Sequence, residues 1–216
     1  MRKNYDNELQ ELGKLLTEMA FAAEDAIDTV TSSLEDLNSD AVAETQTITK
    51  TLDQMERDIE NRCLKLLLRQ QPVARDLRTI SAALKMVTDL QRIGDQCANV
   101  AEMAHLLTNH GRVVKAEDIR AMAQKAGVMV KQSIAAYVDQ NAESAQAVVR
   151  MDDEVDELFL KVKSELINSI LGDRQEADQS IDLIIIAKYF ERIADHAVNI
   201  AQWATYCVTG EIQPTN

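Results

Sequence analysis

The sequence predicts an all-α protein built from two tandem, pseudo-symmetric three-helix bundles, and three observations support this fold class. The 216 residues include only two prolines, six glycines and 4% aromatics, whereas strands and turns are rich in these residues. Long segments carry apolar residues three and four positions apart, which is the spacing of amphipathic helices. A pattern of polar residues also recurs along the chain, which indicates an internal duplication.

Six long antiparallel helices are expected from this spacing and from the residues that interrupt it. Pro72 suits the first turn of the third helix, and Asn141 can cap the fifth. The cluster 38–40 can cap the second helix. The predicted ranges are 4–37, 40–70, 72–108, 116–139, 141–172 and 176–207. They divide the chain into two expected domains, 1–110 and 111–216, whose bundles are joined end to end or side by side.

The duplication is visible in residues as well as in the number of helices. Residues 92–101 align with residues 192–201, and five of the ten pairs are identical. Earlier in each half, residues 52–53 match residues 155–156. Amphipathic helices share apolar spacing by default, but matched Arg, Asp and Asn residues on the polar side are not explained in that way. We therefore interpret the chain as two copies of one ancestral unit.

The formal net charge of −13 argues against nucleic acid as a partner, since no basic patch accompanies it. The N-terminal residues turn acidic at once and do not resemble a signal peptide. The densest apolar run, 183–187, is too short for direct membrane insertion. Cys63, Cys97 and Cys207 are predicted to be buried free thiols, which is typical of a reducing compartment. We therefore expect a cytoplasmic protein.

Carboxylates at helical spacing are the candidate functional residues. Glu191, Asp195 and Asn199 stand four residues apart and form one line on the sixth helix, opposite its apolar face. Asp152 and Asp156 flank the apolar stripe of the fifth helix. Two carboxylate pairs on neighbouring helices can converge on one surface, where cations or basic groups must neutralise them. The alternative is a solvated acidic face with Lys or Arg partners.

No catalytic motif accompanies these acids. The three histidines form no HExxH motif, and the scattered glycines form no nucleotide-binding loop. His196 follows Asp195 directly, but we expect it to be a lone exposed side chain without a specific role. Arg92 and Arg192 are expected to form surface or interhelical ion pairs. Asn199 is expected to be an outer ligand, or else to form a capping or interhelical hydrogen bond.

Several segments resemble the PhoU family, the accessory regulators of phosphate-specific transport. Residues 90–95 and 190–201 resemble its duplicated signature. Residues 69–78 resemble its junction between the second and third helices, and residues 150–156 resemble the opening of its fifth helix. The resemblance covers essentially the whole chain, with the motifs in the family's order.

The resemblance implies a non-enzymatic protein that represses the phosphate-starvation response when phosphate is plentiful. Its implied partners are the ATPase of the phosphate ABC transporter, a sensor histidine kinase and further copies of itself, as a homodimer or a larger homo-oligomer. Some members of the family bind multinuclear metal clusters through an acidic-x-x-x-Asp motif. This motif maps onto Glu191 and Asp195 in the second half, and onto position 91 and Asp95 in the first.

The first half departs from the metal-binding pattern. Position 91 is Gln91, and Thr49 occupies the position that matches Asp152, so only Asp53 and Asp95 remain as carboxylates. We therefore predict a stronger metal site in the second half and a weak or absent one in the first. Oxygen ligands leave the divalent or trivalent ion open among Fe, Zn, Mn and Mg.

Three alternative hypotheses compete with the adaptor role. The chain could be a metal-dependent helical enzyme or metal store, or a structural scaffold with solvated acidic faces. It could also be a paralogue that serves another transporter. The adaptor hypothesis is favoured because it accounts for the recurring polar residues and the junction motifs together.

Overall fold

The computed structural model describes residues 2–36, 40–70, 74–107, 117–172 and 177–211. In these ranges it contains the six predicted helices: α1 (Arg2–Asp36), α2 (Ala41–Gln70), α3 (Ala74–Leu107), α4 (Glu117–Val138), α5 (Ala142–Gly172) and α6 (Ala177–Thr209). The predicted order and approximate lengths are therefore confirmed. The predicted domain boundary at 110/111 lies outside the described residues, as do the helix starts predicted at 72, 116 and 176.

Each half of the chain forms a three-helix bundle. Helices α1, α2 and α3 pack against one another, and so do α4, α5 and α6. Because α3 also packs along α6 and α1 along α4, the bundles lie side by side and not end to end. Arg78 near the start of α3 meets Cys207 near the end of α6, while Asp89 meets His196 further along. These contacts show that α3 and α6 are antiparallel.

One continuous apolar core spans both halves. The face of α6 that was predicted to point inward is buried, including Ile186, Phe190 and Ile193. Full burial of side chains of this size stabilises the fold by about 1.5–3 kcal/mol each. Among the described helices, none combines the length and apolarity that crossing a bilayer requires.

The three cysteines are buried free thiols, as predicted. Burial raises the pKa of Cys63 to about 12 and the pKa of Cys207 to about 12. Because the thiolate is the reactive form, these side chains act as small apolar groups in the core.

The connection between α4 and α5 is a tight reversal. Gln140 adopts a positive φ of 51°, and the Asn141 N–H donates to the Ala136 carbonyl at 2.9 Å, which closes the end of α4. The predicted cap of α5 is confirmed, because the Ser144 N–H donates to Asn141 Oδ1 at 3.1 Å. This turn sets α4 and α5 antiparallel.

A complementary pair of residues sets the spacing of α2 and α3. Leu52 and Gly94 are both buried, and a Cβ added to Gly94 would lie 2.6 Å from Leu52 Cδ1. Val155 and Ala194 occupy the matching positions of the second half, and both are fully buried. The side chain on the second helix of the unit is smaller in the second half, and the one on the third helix is larger. The total side-chain volume of the pair is therefore similar in both halves.

We predict that Gly94→Ala lowers the free energy of unfolding by about 1–2 kcal/mol. Overpacking typically costs about 1–3 kcal/mol, and the better helix propensity of alanine recovers up to about 1 kcal/mol. Adding Leu52→Val, which creates the pair found in the second half, restores about 1 kcal/mol through direct coupling. Urea denaturation of wild type, both single variants and the double variant measures this coupling. Strictly additive losses would contradict it.

Candidate functional site

Four carboxylates converge where α5 packs against α6. Asp152 and Asp156 are one helical turn apart on α5, and Glu191 and Asp195 are one turn apart on α6. Asp152 interacts electrostatically with the other three, so the predicted convergence of the two pairs is observed. These four residues are named the second-half cluster.

Burial and mutual repulsion raise the pKa values in the second-half cluster. Burial, followed by repulsion from Asp156 and Asp195, raises the pKa of Asp152 to about 6. Burial and the charge of Glu191 also raise the pKa of Asp156 and the pKa of Asp195. The surrounding protein therefore neutralises the negative charge of the cluster only in part.

Lys188 supplies that partial neutralisation. Its ammonium pairs with Glu191, three residues further along α6, and lies 5.3 Å from the centroid of the Phe159 ring. It offsets part of the effect that burial and Glu191 exert on the pKa of Asp195. Lys188 is not among the predicted site residues, although its spacing of three residues from Glu191 was the available signal.

The donor chemistry of the second-half cluster fits a metal ion. Asp152 Oδ1 is buried and accepts no hydrogen bond from the described residues. An unsatisfied buried carboxylate oxygen is costly, and a cation would satisfy it while reducing the repulsion around it. In the described part of the chain, however, no three His, Cys, Asp or Glu side chains are arranged to hold one ion. Metal coordination therefore stays a prediction.

In the first half, a side-chain amide donates hydrogen bonds to both carboxylates. Gln91 Nε2 donates to Asp53 Oδ1 and to Asp95 Oδ1, both at 3.0 Å. Arg92 Nη1 pairs with Asp95 Oδ2 at 3.1 Å, as expected for a surface ion pair. Because the amide hydrogens lie between the two acids, this arrangement does not fit a cation. Asp53, Gln91 and Asp95 are named the first-half cluster.

Thr49 also differs from its second-half counterpart. It occupies the position that matches Asp152, and its hydroxyl donates to the Thr45 carbonyl of its own helix at 2.9 Å. Asp152 keeps an unpaired oxygen, whereas Thr49 is satisfied locally. The two halves thus share a backbone plan but differ in the charge that they leave exposed to a ligand.

A further polar cluster joins the halves across α3 and α6. His196 Nδ1 lies 2.9 Å from Asp89 Oδ1, and Asn199 Nδ2 donates to the same oxygen at 3.3 Å. The expectation that His196 is a lone exposed side chain is therefore wrong, because the packing of α3 on α6 brings Asp89 against it. Asn199 forms an interhelical hydrogen bond, which was one of its expected roles.

The family model of the PhoU domain matches residues 16–104 and 119–204, once in each half of the chain. The chain belongs to the PhoU family. A PhoU homologue of Clostridium acetobutylicum, described as a phosphate-specific transport system accessory protein, is 34% identical over 213 residues. That alignment covers 97% of this chain and 96% of the relative.

Two further comparisons agree with membership of the PhoU family. A PhoU homologue of Aquifex aeolicus is 36% identical over 205 residues, which cover 95% of this chain and 93% of the relative. The crystal structure of PhoU from Pseudomonas aeruginosa has a TM-score of 0.90 and 30% identity, and the match covers 96% of this chain and 100% of that structure. The PhoU fold therefore extends over nearly the whole chain.

Within this PhoU fold, all six predicted metal ligands lie on two helix pairs. The structure brings Asp152, Asp156, Glu191 and Asp195 together without a protein group that neutralises all of them. It also brings Asp53 close to Asp95, but with an amide between them. The predicted asymmetry between the halves therefore has a physical basis, and metal occupancy itself is still to be measured.

We predict that Asp152 makes stability fall as pH rises, once metal has been removed with EDTA. Its folded pKa of about 6 exceeds its ordinary value of 3.8, so the stabilising contribution is full below about pH 4 and is lost as pH rises through about 6. Asp152→Asn should raise stability near neutral pH by about 1–2 kcal/mol, after allowance for solvent screening.

Urea denaturation at a series of pH values measures this effect, with Asp153→Asn as the control. Asp153 neighbours Asp152 but is exposed. Parallel stability profiles for wild type and Asp152→Asn would show that the burial of Asp152 has no such consequence.

Proposed function

We propose that this chain is a non-enzymatic negative regulator of the phosphate-starvation response and of phosphate uptake. The observation that carries this proposal is the match to the PhoU domain in both halves. Relatives described as phosphate-specific transport system accessory proteins align with 97% and 95% of the chain. Such near-complete alignment supports a shared role of the whole protein and not of one fragment.

The proposed mechanism is that of an adaptor in the cytoplasm. When phosphate is plentiful, the chain contacts the ATPase of the phosphate ABC transporter and a sensor histidine kinase, as a homodimer or larger homo-oligomer. Two bundles with one fold and different surface charge suit an adaptor that binds two partners. The net charge of −13 also favours protein partners over nucleic acid.

The proposed role requires binding and not catalysis. Burial raises the pKa of Cys97, which disfavours its nucleophilic thiolate. His196 is engaged by Asp89 at the junction of the two halves. A regulator that acts by contact needs neither a nucleophile nor a general base.

We include in this proposal a divalent or trivalent metal ion, from among Fe, Zn, Mn and Mg, held by the second-half cluster. When bound, the ion would supply positive charge between α5 and α6. Asp152 has the unsatisfied buried oxygen that supports this assignment, and Glu191 and Asp195 contribute further oxygens. The role of the metal is structural or modulatory.

A phosphate-starvation reporter such as alkaline phosphatase tests the regulatory function. We expect deletion of the gene to switch the reporter on in abundant phosphate, because the repressing contacts are lost, and the intact gene to silence it again. Asp195→Ala should restore repression less completely than Asp95→Ala, because only Asp195 lies in the proposed metal site.

A reporter that stays off in the deletion strain would contradict the regulatory function. Equal repression by Asp195→Ala and wild type, at equal protein levels, would contradict only the modulatory role of the metal. Immunoblotting of each variant therefore accompanies the reporter assay.

A further inference from the structure

A groove runs along the surface between α5 and α6, next to the second-half cluster. It encloses about 410 Å³ and is lined by the rings of Phe159 and Tyr189 and by the side chains of Ile184 and Ile185. All four side chains are only partly buried. The groove therefore presents apolar surface that remains open to solvent.

Three cations line the same groove, although the protein carries a net charge of −13. Lys188 is engaged by Glu191, and Arg192 lies over the Tyr189 ring at 5.9 Å from its centroid. Within the described residues, neither Lys163 nor Arg192 forms an ion pair, so the ion pair expected of Arg192 is not observed. Two positive charges are thus available to an anionic ligand beside an apolar floor.

The apolar surface continues beyond the groove along both helices. Ile167 lies one turn beyond Lys163 on α5, and Ile181 lies one turn before Ile185 on α6. Their exposed fractions are 42% and 48%, which are high for isoleucine. From Ile181 to Arg192 the surface extends about 16 Å along α6, which matches about three turns of a helix.

The repeat provides an internal comparison for this surface. At three matching positions the first half is acidic: Glu56, Glu60 and Asp89 stand where the second half has Phe159, Lys163 and Tyr189, whereas Arg92 stands where it has Arg192. Since both halves form the same bundle, its packing does not require aromatic or cationic residues at these positions. The two halves therefore differ in charge and polarity at these three positions.

We propose that this basic aromatic groove binds an acidic amphipathic segment of a protein partner. Apolar side chains of the segment contact the floor, and its carboxylates pair with Lys163 and Arg192. The apolar floor disfavours a small inorganic anion as the ligand. The inference rests on the proposed adaptor role for its assumption that the partner is a protein.

Fluorescence anisotropy with the full chain and three labelled helical peptides tests the inference. The first peptide has Leu on one face and Glu on the other. The second has Gln in place of each Glu, and the third has Ser in place of each Leu. We expect the first peptide to bind most tightly, with an affinity that falls as salt increases.

Paired variants locate the binding. The double variant Lys163→Gln/Arg192→Gln should weaken binding of the first peptide, which carries Glu and Leu, about fivefold. It should leave binding of the second peptide, which carries Gln and Leu, unchanged. Lys65→Gln with Lys85→Gln removes the same charge from exposed positions of the first half and should change affinity by less than about twofold. Ile185→Ser should weaken binding of both peptides that carry Leu. Denaturation curves establish that each variant is folded.

The proposal would be overturned if the second peptide bound as tightly as the first. It would also be overturned if the two double variants lost the same affinity for the first peptide. It would also be overturned if inorganic phosphate displaced the peptide, or if the groove variants changed only self-association in sedimentation experiments. The assay contains neither transporter nor kinase. Its failure would therefore leave the reporter result standing, and failure of the reporter test would leave the peptide result standing.

Discussion

Carboxylates that face one another across two packed helices repel, and each half of this protein meets that constraint differently. In the first half, the Gln91 amide spans Asp53 and Asp95. In the second half, Glu191 takes the matching position, and Lys188 offsets only part of the added charge. Burial of the shared apolar core stabilises the fold and offsets that repulsion. In the first half, protein donors therefore satisfy the carboxylates at this position. In the second half, negative charge remains that a cation could neutralise.

The duplication explains how one fold carries two surfaces. Buried positions change in a compensating way, since Leu52 with Gly94 corresponds to Val155 with Ala194, so each bundle stays filled. Exposed positions are free of this packing requirement and have diverged in charge. The proposed adaptor role would use this arrangement, because one pair of bundles can present chemically distinct faces to different partners.

The sequence was sufficient for the helices, because apolar spacing and the scarcity of glycine and proline leave few alternatives. It also located Asp95 and Asp195 through the repeat. It could not predict that Gln91 bridges two acids, since that depends on side-chain conformation. Nor could it pair His196 with Asp89, which is 107 residues away and becomes a neighbour only through the packing of α3 on α6.

We propose that the second half binds metal because the protein neutralises its carboxylates only in part. The most direct test is to strip wild type, Asp195→Ala and Asp95→Ala with EDTA, reload them with Mn²⁺, and count the ions that remain after gel filtration. We expect Asp195→Ala to lose most of the bound metal and Asp95→Ala to retain the wild-type amount. Equal losses from the two variants, or no metal bound to wild type, would contradict it.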